Sequence, residues 1–330
     1  MDDQLVRICV DADGGDDAPA VVADGVALAL EADPQLEVVL VGRAASIEAV
    51  AASFPDRIEP VVTTEVIEMG DHPAQAVRRK KDSSIVVGCK LVKEGRADGF
   101  FSAGSTGACL TAATILIGRI PGIARPALAT ILPAPSRPTI LVDCGANADC
   151  KAEYLLQFAQ MGIAYAQAFL GVEAPEVGLL CNGSEETKGN ELALAAHALL
   201  AEHVPGFIGN VEGGDVLAGS CDVVVTDGFT GNVALKVIEG TAGMIFSAIK
   251  KVMAESGDPK AAAALAPGLG AFKKTVDPDT YGGAPLLGID AVCTVGHGSS
   301  NAEAIKNGIL ACAKTVRGKL PERIAAALEG

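Results

Sequence analysis

The chain has 330 residues at 33.3 kDa, 49% of them hydrophobic and 20% charged, with a formal net charge of −15 at pH 7. That is enough apolar material for a large core and too much for a disordered chain. With 4% aromatic residues, no tryptophan and this acidity, neither stacking on single strands nor capture of a duplex is favoured, so no nucleic acid is expected as a partner.

The N-terminus MDDQLVR lacks the basic start and apolar run of a secretory signal, and the longest apolar stretches, such as ACLTAATILIG (108–118), fall short of the ~20 residues of a membrane span. A cytoplasmic location is expected. Short apolar runs bounded by Gly, Asp or Asn predict buried strands at VRICVDA (6–12), LEVVLVG (36–42), GFFSAG (99–104), ALATILP (127–133), TILVDCG (139–145), VGLLCNG (177–183), CDVVVTDG (221–228) and IDAVCTVG (289–296). Ala/Leu-rich stretches of helical period lie between most of them, for example 151–170 and 189–203. The alternation predicts α/β layering around a largely parallel sheet. No period of 20 to 50 residues repeats, which argues against a solenoid. The expectation is a single α/β unit over 1–330, with an Ala/Gly/Pro-rich excursion from the sheet at about 255–285.

Five expected strands run into a small-residue loop and then a helix: SAGSTGA (102–108), DCGANAD (143–149), CNGSEETKGN (181–190), DGFTGNV (227–233) and GHGSSNAE (296–303). In an open parallel sheet such loops gather at the carboxyl ends of the strands, where ligands bind. Helix N-termini with glycine-exposed N–H groups attract anions, so the assembled rim predicts an anion site. Ser300 with Glu303 reads as a capping box, and Thr106 and Thr230 as N-caps. Any one such loop has a structural explanation, because Gly, Ser and Asn are what turns use.

Within the rim, Lys188 could reach an anionic oxygen or stand in solvent. Asn232, early in a helix, could present its amide to a ligand or cap the first turn. Asp227 could orient a neighbouring donor or serve as a turn residue, and His297, between two glycines, could serve a proton or a phosphate or be structural. Cys144 and Cys181 end strands, yet no histidine pairs with either, which favours small buried hydrophobes over nucleophiles. The nine cysteines are odd in number and never spaced C-x-x-C, and the four histidines lack ligand spacing, so neither a disulfide framework nor a metal centre is indicated. No G-x-S-x-G, H-E-x-x-H or post-strand G-x-G-x-x-G is present. CNGSEETKGNE (181–191) approaches a P-loop but has Lys188 and Gly189 in the wrong order and adds Glu185 and Glu186, which would repel a triphosphate. Which phosphate such a loop would hold stays open on these residues, and no cofactor is expected.

DADGGDDAP (11–19), the 72–108 segment ending FFSAGSTGA, LVDCGANADCKAEYLLQFA (141–159), KGNE (188–191), DGFTGNVALKVIEG (227–240), YGGAPLLG (281–288) and HGSSNAEAIKNGI (297–309) together resemble the phosphate acyltransferases of bacterial phospholipid synthesis, the PlsX family, over nearly the whole chain. The resemblance implies reversible transfer of a fatty acyl group from acyl carrier protein to inorganic phosphate. The product would be an acyl phosphate, passed to a membrane glycerol-3-phosphate acyltransferase. It also implies a three-layer α/β/α homodimer like isocitrate and isopropylmalate dehydrogenases, and kinship with phosphotransacetylases. The family's important lysine and asparagine fall on Lys188 and Asn232. The implied phosphate and thioester site takes in Ser102, Gly104, Ser105, Thr106, Gly107, Asn147, Asp227, Thr230, Gly231 and His297. Asp13 and Asp17 stand where the family usually has Met and Asn, and Ser105 replaces an Asn.

Acyl carrier proteins are acidic, as is this chain, so docking calls for a local positive surface. Arg78, Arg79, Lys80 and Lys81, with Lys90, Lys93 and Arg96 nearby, form the strongest cluster, although a solvated helix face would look the same. AAAALAPGLGAF (261–272), flanked by lysines, could contact an anionic bilayer peripherally or pack in a dimer. Two other readings stay open: an oxidoreductase on the isocitrate dehydrogenase fold, which a nicotinamide absorbance assay would expose, and a non-catalytic carrier-binding or membrane-binding protein, which would bind without turnover.

Overall fold

A computed structural model describes residues 4–134, 136–255, 259–276 and 280–329. Its strands are β1 (Val6–Asp11), β2 (Leu36–Gly42), β3 (Ile58–Val62), β4 (Gly99–Ser102), β5 (Ala127–Leu132), β6 (Thr139–Val142), β7 (Val177–Leu180), β8 (Phe207–Val211), β9 (Val223–Val225), β10 (Ala284–Leu287) and β11 (Val292–Val295). All eight apolar runs read from the sequence contain one of these strands. The other three, β3, β8 and β10, were not expected, for two reasons. β3 and β8 are the outermost strands, half-exposed and interrupted by Pro60 and Gly209, as sheet edges tolerate. β10 has only four residues, including Pro285.

The strands form one 11-stranded sheet in the order β3-β2-β1-β4-β11-β10-β5-β6-β9-β7-β8. β1 to β4 and β11 run parallel, as do β6 to β9. Between these two halves, β10 is antiparallel to both β11 and β5, and β5 is antiparallel to β6. The halves therefore point in opposite directions. Ala284 and Pro285 of β10 pair with β11, whereas Leu286 and Leu287 pair with β5. That stagger slides the halves past one another until the carboxyl ends of β4, β11 and β6 face one central cleft.

The two-residue period of the strands sorts their side chains between the two faces of the sheet. Ile8, Val10, Ile140, Val142, Val223 and Val225 enter one core, covered by α1 (Ala20–Ala32), α2 (Ala44–Ser53), α6 (Ala152–Tyr165), α7 (Glu191–His203), α11 (Ala302–Arg317) and α12 (Leu320–Glu329). Cys9, Phe100 and Cys293 face α3 (Pro73–Arg79), α4 (Ser84–Lys93) and α5 (Thr106–Ala112). Leu141 and Val224 face α8 (Gly213–Ala218) and the start of α9 (Gly228–Glu255). The expected 151–170 helix is α6 followed by a π-helical turn at Ala166–Leu170, and the 189–203 stretch is α7.

α9 leaves the body almost at once: of its 28 residues only Gly228 and Gly231 are buried. It pairs with α10 (Pro259–Val276), where the rings of Phe246 and Phe272 lie 5.8 Å apart. The excursion thus begins well before residue 255. Residues 256–258 and 277–279, and the side chains of Lys273 and Lys274, lie outside the described residues. By length and composition alone α9 could cross a membrane, the one described helix of which this is true.

Close backbone approach sets the α1 to α11 contact. A Cβ on Gly25 would stand 2.5 Å from the Ile305 Cβ. Gly25→Val should therefore cost ~1–3 kcal/mol by overpacking and lower the thermal midpoint by several degrees. Circular dichroism melting checks this, and an unchanged midpoint would show that the two helices can separate freely.

Candidate functional site

Three strand ends build the cleft. β4 passes through the 102–107 turn into α5, β6 into the 143–147 loop, and β11 into the 296–301 loop. Gly282 and Gly283 lead into β10 beside them. The resulting cavity, about 470 Å³, is lined by Gly104, Thr106, Gly107, Cys144, Gly145, Asn232, Gly296, His297 and Ser300, among others. Glycine keeps the walls open: a Cβ on Gly145, whose φ is +147°, would press within 3.2 Å of the Asn232 Nδ2.

Two buried carboxylates hold the turns. Asp11, at the end of β1, accepts from the Ser102 hydroxyl at 2.6 Å and the Asp13 N–H at 3.0 Å, and the Ser102 Oγ in turn accepts the Gly104 N–H at 3.0 Å. The 102–104 turn is thus tied to β1 by a charge-assisted relay. Asp143 accepts five N–H bonds, all at 2.8–3.1 Å: the backbone amides of Leu128, Gly145, Ala146 and Asn147, and the Asn147 Nδ2. Burial raises the pKa of both carboxyls, and their hydrogen bonds oppose that rise.

The loop that Asp143 organises carries Asn232. The Cys144 carbonyl accepts the Asn232 Nδ2 at 3.3 Å, and the Asn147 carbonyl accepts the Gly228 N–H at 2.8 Å. Gly231 packs so closely on the Asp143 carbonyl that any side chain would overlap it. The first turn of α9 is therefore pinned. Residues two apart on a helix point to opposite sides, and here Asn232 faces the central cleft while Thr230 faces a second depression of about 590 Å³. Asp227, Gly189, Asn190, Cys181 and Asn182 line that second depression.

The expected site is therefore divided. Gly104, Thr106, Gly107, Asn232 and His297 share the central cleft, whereas Asp227 and Thr230 lie across the α9 turn. Lys188 lines neither cavity. It is exposed, its stem crossing Gly183, where a Cβ would meet the Lys188 Cγ at 2.8 Å. Ser102 and Asn147 have their polar groups committed to the turns, as described above, and Gly231 serves close packing. The Nδ1 of His297 lies 2.8 Å from the Ser299 hydroxyl and accepts the Ser299 N–H at 3.3 Å. Burial pushes the Cys144 thiol pKa far up, so it is not a thiolate at neutral pH.

The caps differ from expectation by one to three positions. α5 is capped by Ser105, whose hydroxyl accepts the Ala108 N–H at 3.4 Å, not by Thr106. Asp227, not Thr230, closes the start of α9, accepting the Thr230 N–H and hydroxyl at 2.8 Å each. Asn301 caps α11 through the Ala304 N–H, and Glu303 pairs with Lys306 instead of closing a box with Ser300. A hydroxyl, amide or carboxylate one to three positions away can take the same role. In the basic cluster, Arg78, Arg79 and Lys81 are exposed, but Lys80 is half-buried, its ammonium 2.6 Å from Asp71 and 2.7 Å from the Val66 carbonyl. Lys80 is thus a structural tether, and Arg96 is likewise paired with Glu59.

Residues 6–323 match the family model described as "Fatty acid synthesis protein". The phosphate acyltransferase of Desulfitobacterium hafniense (strain DSM 10664 / DCB-2) is 49% identical over 323 residues, covering 97% of this chain and 96% of that one. The chain belongs to the phosphate acyltransferase family. It is thus an acyltransferase. A phosphotransacetylase from Streptococcus pyogenes shares the fold, with a TM-score of 0.62 at 18% identity over 94% of each chain. So does 4-hydroxythreonine-4-phosphate dehydrogenase from Klebsiella pneumoniae, with a TM-score of 0.54 at 12% identity over 95% of this chain and 98% of that one. These structures bear out the mixed α/β, largely parallel architecture of a dehydrogenase-like fold.

In this acyltransferase two of the three departures from the family pattern, Asp13 and Ser105, have side-chain partners. Asp13 is buried and accepts from the Arg43 N–H at 2.9 Å, the Arg43 Nε at 3.2 Å and the Ser46 hydroxyl at 2.7 Å. Ser105 caps α5, as an Asn would. The sequence reading missed Asp11 and Asp143 as organisers of the loops. An Asp at a strand end followed by glycine amides is the signal that could have found them. It also missed Leu235, Lys236 and Glu239 on the cleft wall, where a charged pair 2.7 Å apart interrupts an apolar helix.

A carboxyl with a raised folded-state pKa contributes stability that is complete below its unfolded value and is lost as pH rises through the folded one. Asp11→Asn removes that loss. Measured by urea unfolding, the stability of the variant relative to the parent should therefore improve from about pH 4 upward, and a flat difference would show that Asp11 ionises without cost.

Proposed function

We propose that this enzyme reversibly transfers a fatty acyl group from the phosphopantetheine thioester of acyl carrier protein to inorganic phosphate. The acyl phosphate product then serves phosphatidic acid synthesis through a membrane glycerol-3-phosphate acyltransferase. One juxtaposition supports this best: the Asn232 amide and the first turn of α5, with its glycines, line the same cavity. A helix start leaves N–H donors unpaired, which suits an anion in a chain of net negative charge.

Phosphate is already an anion at neutral pH, so no base is needed to generate the nucleophile; positioning and charge stabilisation remain. A phosphate oxygen attacks the thioester carbonyl, forming the O–C bond and placing negative charge on the carbonyl oxygen. Collapse of the tetrahedral intermediate breaks the C–S bond, and the leaving thiolate takes up the proton that the hydrogen phosphate carried. Asn232 donates one Nδ2 hydrogen to Cys144 and keeps a second for the oxyanion. His297 offers its Nε2 hydrogen to the phosphate. Lys188, on a long exposed stem beyond the α9 turn, supplies positive charge, and Asp227 and Thr230 hold that turn between them.

Arg78, Arg79 and Lys81 form the docking surface for the acidic carrier protein. The same reading makes the enzyme a cytoplasmic homodimer in peripheral contact with the membrane. Exposed Met244 and Val252 on α9 and Leu265 on α10, with Lys250 and Lys251 nearby, support contacts outside the chain.

Mixing carrier-bound acyl thioester with phosphate and trapping the product with hydroxylamine should give acyl hydroxamate; free fatty acid alone would refute the assignment. Asn232→Ala should lower kcat about 10²–10³-fold with an unchanged melting midpoint. Charge reversal at Arg78, Arg79 and Lys81 should raise KM for the carrier-bound donor and weaken its salt dependence. Unchanged kinetics in that triple variant would move the docking face elsewhere.

A further inference from the structure

Beside the central cleft lies an apolar cavity of about 410 Å³. Its walls come from Leu132 and Pro133 at the end of β5, Leu217 on α8, one face of α9 and Phe272 on α10. On α9 that face repeats at Leu235, Ile238, Ala242 and Ile245, the three-to-four-residue spacing of a helical stripe. Leu235 and Ile238 pack on the core cluster beside α8, while Leu217, Ile245 and Phe272 remain 40%, 45% and 51% exposed.

The cavity adjoins the cleft. Leu235 and Glu239 line both, and the Glu239 carboxylate is held by Lys236 at 2.7 Å, at the junction. Beyond Glu239, Thr241 is the one polar residue lining it. A site with polar groups only at its mouth selects a ligand that is polar at one end and purely apolar along its length.

We infer that this cavity binds the alkyl chain of the acyl donor, with the chain leaving the thioester carbonyl in the cleft, passing between Leu235 and the Lys236–Glu239 pair, and lying along α9 toward Phe272. This rests on the acyl transfer proposed above. Each methylene placed there leaves water, which favours binding by about fourfold. The occupant is a long hydrocarbon: the stripe on α9 is elongated, and its end at Leu235, beside the cleft, is where an activated carboxyl would sit.

The test uses Ala242→Trp, which fills the middle of the cavity without touching the cleft. Trapped acyl phosphate is measured with palmitoyl and butyryl thioesters of the same carrier. The variant should keep the parent kcat/KM for butyryl and lose about 10²-fold for palmitoyl, the equivalent of roughly four methylenes. A separate readout is independent of turnover: the chain has no tryptophan, so Phe272→Trp introduces a single fluorophore whose emission should shift to the blue and saturate with myristate. Equal losses on both thioesters, or a tryptophan blind to myristate, would overturn the assignment. So would a change in oligomeric state by light scattering with chain-length preference intact, because the cavity would then be an interface between copies. If neither enzyme form makes acyl phosphate from any thioester while the fluorophore still responds to myristate, the acyl transfer reading fails and the chain site stands.

Discussion

A single carboxylate with five N–H donors and, among the described residues, no ion-pair partner orders the centre of this molecule. Asp143 fixes the loop after β6, that loop offers the Cys144 and Asn147 carbonyls, and those carbonyls seat the first turn of α9 with Asn232 aimed into the cleft. The charge is met by fixed backbone and amide dipoles and, among the described residues, by no ion pair. Asp11 does the equivalent work on the opposite bank through Ser102. Each bank of the cleft thus has its own buried anchor, at the carboxyl end of a strand in each half of the sheet.

How much of this the sequence disclosed depends on how local the determinant is. Strands buried on both faces, such as β1, β6 and β9, are unbroken apolar runs and were legible. β3 and β8 were not, because a half-exposed edge carries mixed residues and tolerates Pro60 and Gly209. The reversal between the two halves was hidden as well, since it hangs on β10, four residues whose proline and flanking glycines read as a turn. The rim loops could be read, yet their division into two depressions could not: it arises from the 200° or so separating Thr230 from Asn232 on one helix. Lys80 read as a docking charge because nothing in RRKK announces that Asp71 will fold back beside it.

The same contrast explains the caps. Ser105, Asp227 and Asn301 each took a role that a neighbour one to three residues away could fill by composition, and the choice was made by where the preceding strand released the chain. Asp13 shows the reverse case. As a residue type it looks costly in the first turn after a strand, but Arg43 and Ser46 from the next strand-helix connection surround it, so it fastens two adjacent connections of the sheet.

β10 carries a consequence for movement. It is the tie-bar between the two halves, gripping β11 with its first pair of residues and β5 with its last. Sliding one half along the other would shear those few rungs, whereas a small change of twist about the same bar would spare them. A change of twist about β10 therefore disturbs fewer of the sheet's hydrogen bonds than a slide along it.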